Sequence, residues 1–272
     1  MNAPAKPPRP LALVTGASAG IGAAFARAYA ARGYDLALVA RRADRLEALG
    51  AELSAAHGIE AFAIPADLAA FEACTAVLAA VAQRGRVVDV LVNNAGFSIA
   101  QSFTGVPWSR QRDFLMTLVV NACGLAHGVI PGMVARGRGA IVNVGSMAAF
   151  APGVAGHSLY PGAKSLMVSW SQSLAAELKG TGVRVTVTCP GFTLTEFAEA
   201  NGTKTIMDSA PRRFFQTAEQ VAEATLAAND RGRVVVVPGL HNKIAAVILH
   251  YMPQALLIAI LSRASAKYHL EA

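Results

Sequence analysis

Charge is scarce in this chain. Asp, Glu, Lys and Arg make up 15% of its 272 residues, aromatic side chains only 7%, and hydrophobic residues 54%. Such a balance implies a large core, with apolar surface left over for a partner or a substrate. Cysteine is scarce too. Cys74, Cys123 and Cys189 lie far apart inside apolar segments, so they show no metal spacing and fit reduced, buried thiols of a cytosolic protein. The formal charge is +7, but it is scattered in short pairs such as Arg41-Arg42 and Arg212-Arg213. No basic run or basic stripe with interleaved aromatics appears, which argues against nucleic acid as a partner. No clean run of 18 apolar residues appears either, so no transmembrane helix is expected. The nearest approach, Ile244 to Leu261, is interrupted by His250, Pro253 and Gln254. The first ten residues lack an apolar stretch and read as a flexible tail, not a signal peptide.

What the chain does have is rhythm. Short apolar runs at Leu11–Thr15, Asp35–Ala40, Ile59–Ile64, Val87–Val92, Ala140–Val144, Val183–Thr188 and Val234–Val237 read as buried strands. Helical patterns fall between them, at Ala23–Arg32, Ala43–His57, Phe71–Arg84, Arg110–Arg136 and from Tyr160 to Leu178. Strands alternating with helices predict one α/β domain over residues 11–240. Its expected form is a doubly wound, seven-stranded, mainly parallel sheet of the Rossmann type, with helices on both faces. Ligands of such sheets bind beyond the carboxyl ends of the strands.

Gly16, Gly20 and Gly22 stand between the first strand and the first helix. Glycines there allow a tight turn and close approach of backbone to a pyrophosphate, and the helix N-terminus adds N–H donors and partial positive charge. The second strand ends at Ala40 and is followed by Arg41 and Arg42. An acid at that point would suit a ribose 2′-hydroxyl, whereas the arginine fork suits a 2′-phosphate, so the expected cofactor is NADP(H). Arg41→Asp is expected to weaken NADPH binding far more than NADH binding.

The segment from Ser146 to Lys164 carries the chemistry. Tyr160 and Lys164 sit at i and i+4 of a helix, on one face. A phenol with a pKa of roughly 10 is a poor acid or base near neutrality, and an ammonium close by is expected to lower that pKa. A Ser146 hydroxyl could hold a carbonyl or alcohol oxygen against the tyrosine.

With these pieces in place the chain resembles the short-chain dehydrogenase/reductase family, in its NADP-preferring bacterial branch. The resemblance rests on Thr15-Gly-Ala-Ser-Ala-Gly-Ile-Gly22, Asp67, Asn93-Asn-Ala-Gly96, Asn121, Ser146, Tyr160-x-x-x-Lys164 and Pro190-Gly191 with Thr193 and Thr195, in the family's order. It implies Tyr160 as proton donor or acceptor and Ser146 as holder of the substrate oxygen. It implies that Lys164 tunes Tyr160 and holds the nicotinamide ribose, and that Asn121 anchors a water in a proton relay to Lys164. The cofactor-binding residues it implies are Gly16, Ser18, Gly20, Ile21, Gly22, Arg41, Arg42, Asp67, Leu68, Asn94, Gly96, Tyr160, Lys164, Pro190, Gly191, Thr193 and Thr195, with no metal. Asn93 and Gly96 would also support the central sheet. His157 lies near the site and reads as incidental, and Cys189 as a small core residue.

The sequence departs from the family in the 14-residue step from Ser146 to Tyr160, one longer than expected, and in Pro161-Gly162 directly after the tyrosine. Proline belongs in a helix's first turn, so the helix should begin near Leu159 to Pro161.

Residues 193–215 resemble the variable lid over the substrate. Phe197, Ile206, Met207, Phe214 and Phe215 there suggest an apolar or aromatic carbonyl compound. Residues 241–272 form an apolar helical extension with three readings, in order: packing on its own domain, a subunit interface in a homodimer or homotetramer, or shallow membrane attachment of an otherwise cytoplasmic protein. The expected activity is interconversion of a carbonyl and an alcohol with NADP(H). The alternatives are an epimerase or dehydratase with bound cofactor, or a non-catalytic nucleotide sensor or scaffold.

Overall fold

The computed structural model describes residues 9–265 apart from 154, 158, 198–200 and 202–210. Seven strands form one sheet: β1 (Leu11–Thr15), β2 (Asp35–Ala40), β3 (Ala61–Pro65), β4 (Val90–Asn93), β5 (Gly139–Val144), β6 (Val183–Thr188) and, numbered after a separate pair, β9 (Val235–Val236). Their order is β3-β2-β1-β4-β5-β6-β9, and every pairing is parallel. β7 (Thr193–Leu194) and β8 (Gln216–Thr217) pair with each other outside the main sheet. The expected fold is thus present, with no antiparallel strand in the seven. Strands such as Leu11–Thr15 are buried along their whole length, which is why they read as continuous apolar runs instead of alternating ones.

Helices cover both faces. On one side α1 (Gly20–Ala31), α2 (Ala43–His57) and α7 (Ala218–Asp230) enclose Phe25, Tyr29, Leu46 and Leu226. On the other, α3 (Ala73–Ala82), α5 (Asn121–Ala135) and α6 (Tyr160–Glu177) enclose Val77, Leu125, Met133 and Leu174. α7 opens with a capping box, Thr217 and Gln220 bonding each other's backbone.

The single long helix expected over Arg110–Arg136 is three pieces. α4 (Trp108–Leu115) passes through a π-helical turn, Met116–Val120, into α5. Together they are long and apolar enough to cross a membrane by length and composition alone, a test that a core helix also passes. Leu125, Ala126, Val129 and Met133 are instead buried against the sheet, the position of a core helix.

At the amino edge the chain is held from Arg9 onward. Arg86 donates to the Arg9 carbonyl (2.9 Å), to Asp35 (2.8 Å) and to Glu60 (2.9 Å), tying the starts of three strands together. Arg9 and Pro10, within the tail expected over residues 1–10, are described and Arg9 is tied to Arg86, while residues 1–8 lie outside the described residues. Of the three thiols only Cys189 is buried; Cys74 and Cys123 are half-buried, a correction to the sequence reading.

The last two helices, α8 (Leu240–Tyr251) and α9 (Gln254–Ser265), divide their surface. Asn242 and Leu257 are buried, whereas Leu240, Ile244, Val247 and Ile248 are exposed. Packing on the chain's own domain accounts for one side of α8 only.

Candidate active site

β1 and β4 are neighbours, and the chain leaves them toward opposite edges of the sheet. The crevice outside their carboxyl ends is where a doubly wound sheet takes its ligand. Thr15 joins the two strands: its hydroxyl donates to the Val92 carbonyl (3.1 Å) and accepts from the Asn94 and Ala95 amides (2.9 and 3.0 Å). The Asn94 side chain donates to the carbonyls of Thr15 (2.9 Å) and Gly16 (3.3 Å). Gly16 and Gly20 have positive φ, +66° and +54°. A side chain on Gly22 would run into the Gly16 carbonyl, and one on Gly16 would meet Asn94 Nδ2 at 2.6 Å. The turn is thus a backbone cradle that only glycine fills. Helix α1 starts there with no side-chain cap and no acid in its first turn, leaving N–H donors to an anion. Ile21, half-buried, packs back on the core. These features fit the phosphates of a dinucleotide.

Arg42 reaches back over this turn. Its Nε and Nη2 donate to Ser18 Oγ (3.2 and 3.0 Å), and its Nη1 to Glu196 (3.2 Å). Arg45, one turn along α2, donates to both Glu196 oxygens at 2.8 Å. Hydrogen bonds from Arg45 first and Arg42 second hold the Glu196 carboxyl below its usual range. Arg41 is exposed and makes no ion pair among the described residues. Neither Arg45 nor Glu196 was a sequence candidate. Arg45 carried a faint signal, three residues after Arg42 on a helix; Glu196 lies 151 residues away and carried none.

The catalytic candidates gather from three elements. Ser146 follows β5 and caps a 3-10 turn, Met147–Phe150, by accepting from the Ala148 amide (3.1 Å). Tyr160 is the first residue of α6, with proline in the first turn as expected. Burial pushes the Tyr160 phenol above its ordinary pKa, and a hydrogen bond from Ser146 draws it partly back. Lys164 is 7% exposed and donates to the Val144 carbonyl at 2.8 Å. Its Nζ lies 5.6 Å from the Tyr160 ring centroid, and desolvation lowers its pKa to about 8. Desolvation thus acts on both groups, raising the phenol and lowering the ammonium, and Ser146 opposes the rise on Tyr160.

Asn121 is fully buried, and its side chain is engaged. It donates to the carbonyls of Leu68 and Ala70 (2.9 Å each) and accepts from the Cys74 amide (3.0 Å). A relay role leaves it one lone pair on the amide oxygen. Asp67, exposed, accepts from the Ala69 amide (3.0 Å) as a turn acid. Gly96 abuts Leu118, and Asn93 donates to Asn143 (3.0 Å), so both support packing within the sheet's layers. The Pro190 carbonyl accepts from the Met147 amide (2.9 Å). Thr193 donates to the Gly191 carbonyl (3.1 Å), and Thr195 lies against Gly20. Gly191 gives room to Asn242 of α8, a buried residue the sequence did not single out.

His157, read from the sequence as incidental, touches two residues of this region. Its Nδ1 is 3.2 Å from Ser98 Oγ, and its ring stands edge-on to Tyr160 at 6.1 Å. Burial lowers its pKa. Ile99, Gln101, Gln111, Phe114 and Leu159 line a pocket beside Tyr160. Of the lid residues, Phe197, Phe214 and Phe215 are described, and Ile206 and Met207 lie outside the described residues.

Known proteins resemble this chain in sequence and fold. The family model for short chain dehydrogenases matches residues 10–206. An uncharacterized oxidoreductase of Myxococcus xanthus is 37% identical over 190 residues, 70% of this chain and 74% of that protein. Serine 3-dehydrogenase of Rhizobium radiobacter is 37% identical over 187 residues, 68% of this chain and 72% of that one. Among solved structures, a short-chain dehydrogenase from Sphingobium yanoikuyae in complex with NADPH superposes with a TM-score of 0.78 at 33% identity, covering 90% of this chain and 97% of that one. A parallel sheet opening onto a glycine cradle, and sequence kinship over most of its length, place this chain in the short-chain dehydrogenase family.

Proposed function

We propose that the protein is an NADP(H)-dependent oxidoreductase that interconverts a carbonyl compound and an alcohol, with Tyr160 as general acid and base. The observation that carries this reading is that Tyr160 has Ser146 as a hydrogen-bond partner and the Nζ of a buried Lys164 5.6 Å from its ring centroid. Bound NADP(H) supplies or accepts the hydride at the substrate carbon. Charge then develops on the substrate oxygen, where two hydroxyl donors stabilise it best. In reduction Tyr160 Oη gives its proton to that oxygen while Ser146 Oγ holds it; in oxidation the proton returns. Lys164 has N–H groups beyond the one given to Val144 with which to hold the nicotinamide ribose. The glycine cradle would take the pyrophosphate, and Arg42, with Arg41 beside it, the 2′-phosphate. Asn121 keeps the Leu68–Cys74 segment in place behind Asp67, which would face the adenine.

Ile99, Phe114 and Leu159 beside Tyr160 support an apolar or aromatic substrate, with Gln101 and Gln111 as polar contacts. The exposed stripe on α8 supports a homodimer, because a second copy presents the same self-complementary face.

The test uses Tyr160→Phe. It should bind NADPH as the parent does, by calorimetric titration, and reduce carbonyls roughly 10²- to 10⁴-fold more slowly. NADPH oxidation is followed over aliphatic, aromatic and steroid-like ketones. Consumption by none of them would turn the assignment toward an epimerase or dehydratase.

A further inference from the structure

The contact between Glu196 and the two arginines of α2 has a meaning beyond a surface ion pair. It lies where the fold brings together three pieces distant in sequence: the glycine turn, the start of α2, and the segment just after β7. Arg42 spans two of them, donating to Ser18 on the turn and to Glu196. Arg45 closes on the same carboxylate with one nitrogen equidistant from both oxygens. Thr195, the residue before Glu196, lies against Gly20; a Cβ built on that glycine would be 3.0 Å from the threonine Cβ. The beginning of the 193–215 segment is thus fastened at two adjacent residues across the mouth of the cofactor cradle.

An anion held by two guanidinium groups beside a ribose site is also what a 2′-phosphate would be. We propose that Glu196 is an internal stand-in for the cofactor's 2′-phosphate: Arg42 and Arg45 together read that phosphate, and its arrival exchanges Glu196 off the arginine pair. The proposal rests on the reading of this protein as NADP(H)-dependent and adds Arg45 and Glu196 to it. Its physical basis is charge. The phosphate carries about two negative charges near neutrality and three acceptor oxygens, against one charge on the carboxylate. The exchange therefore runs forward for NADP(H). A cofactor bearing only a 2′-hydroxyl has no anion to offer and leaves Glu196 in place. Cofactor choice and release of Glu196 from α2 become one event. The arginines and Glu196 are each about half exposed, so single substitutions there leave the fold intact.

The experiment measures dissociation constants of NADP+, NAD+ and 2′,5′-ADP by isothermal titration calorimetry at fixed salt, with no turnover involved. Glu196→Gln, which removes the competing charge, should tighten NADP+ and 2′,5′-ADP by about three- to tenfold and leave NAD+ unchanged. Arg45→Ala should weaken NADP+ and 2′,5′-ADP by a similar factor, again sparing NAD+. Unchanged or weaker NADP+ binding by Glu196→Gln overturns the exchange. Arg42→Ala separates the two levels. If it weakens NADP+ while the Glu196 and Arg45 variants behave as the parent, the exchange is wrong and the arginine assignment stands. If Arg42→Ala also leaves NADP+ unchanged, the arginine assignment itself fails.

Discussion

Lys164 shows how a single buried charge links chemistry to stability. Desolvation lowers its pKa to about 8 in the fold, while an unfolded chain returns it to roughly 10.4. Between those values the unfolded chain holds a proton the folded chain has released, so this residue's contribution to stability rises with pH across that window. Lys164→Met removes the dependence. Melts at about pH 7 and about pH 10 should show the parent gaining about 2 to 3 kcal/mol relative to the variant at the higher pH. A pH-independent difference would mean that the ammonium is not desolvated. The same lowered pKa makes Lys164 a group that changes charge just above neutrality, one turn from the tyrosine it was expected to tune. Its i+4 spacing was legible in the sequence. The direction of its Nζ, toward the Val144 carbonyl, was not, because that carbonyl belongs to another element.

Two elements, one at each end of the strands, can be broken singly. The turn before α1 depends on the closest approach in its loop: Gly22 faces the Gly16 carbonyl with no room for a methyl group. Gly22→Ala should cost about 1–3 kcal/mol in urea unfolding and abolish measurable NADP+ binding. Retention of both would show that the turn opens easily. At the far end of the sheet Arg86 and Asp35 form a pair 12% and 7% exposed, with Asp35 also accepting from the Glu60 amide at 2.8 Å. Removing one partner leaves a buried charge, so Arg86→Ala should destabilise by about 3 kcal/mol, read from a shifted urea midpoint. NADP+ affinity should be unchanged, since the cofactor crevice lies at the opposite ends of the strands. The π turn at Met116–Val120 is the element the sequence misstated. Its residues carry a helical pattern, and only packing of α4 and α5 around the sheet decides that one turn takes an extra residue.

For the molecule as a whole the feature that matters is the exposed apolar side of α8. Leu240, Ile244, Val247 and Ile248 recur at helical spacing and are all exposed, while Asn242 on the other side is buried and donates to the Pro238 carbonyl at 2.9 Å. The double variant Ile244→Asp, Val247→Asp should sediment as a monomer where the parent sediments as a dimer, with NADP+ affinity unchanged. A parent that is already monomeric, with liposome binding lost in the variant, would instead assign the stripe to a lipid surface. The layering, the glycine turn and the Tyr–Lys pair were readable from residue order, because each rests on local periodicity or on turn chemistry within a few residues. The commitment of the Asn121 side chain to the Leu68–Cys74 segment, the edge contact of His157 with Tyr160, and the grip of Arg42 and Arg45 on Glu196 join positions from 3 to 154 residues apart. Residue order alone thus determined the parallel sheet, the cradle and the placement of Tyr160 and Lys164 one turn apart on one helix. Tertiary structure decided which charges meet, which carbonyl receives the lysine and which face of the last helices stays bare, because desolvation and ion pairing depend on neighbours that folding supplies from elsewhere in the chain.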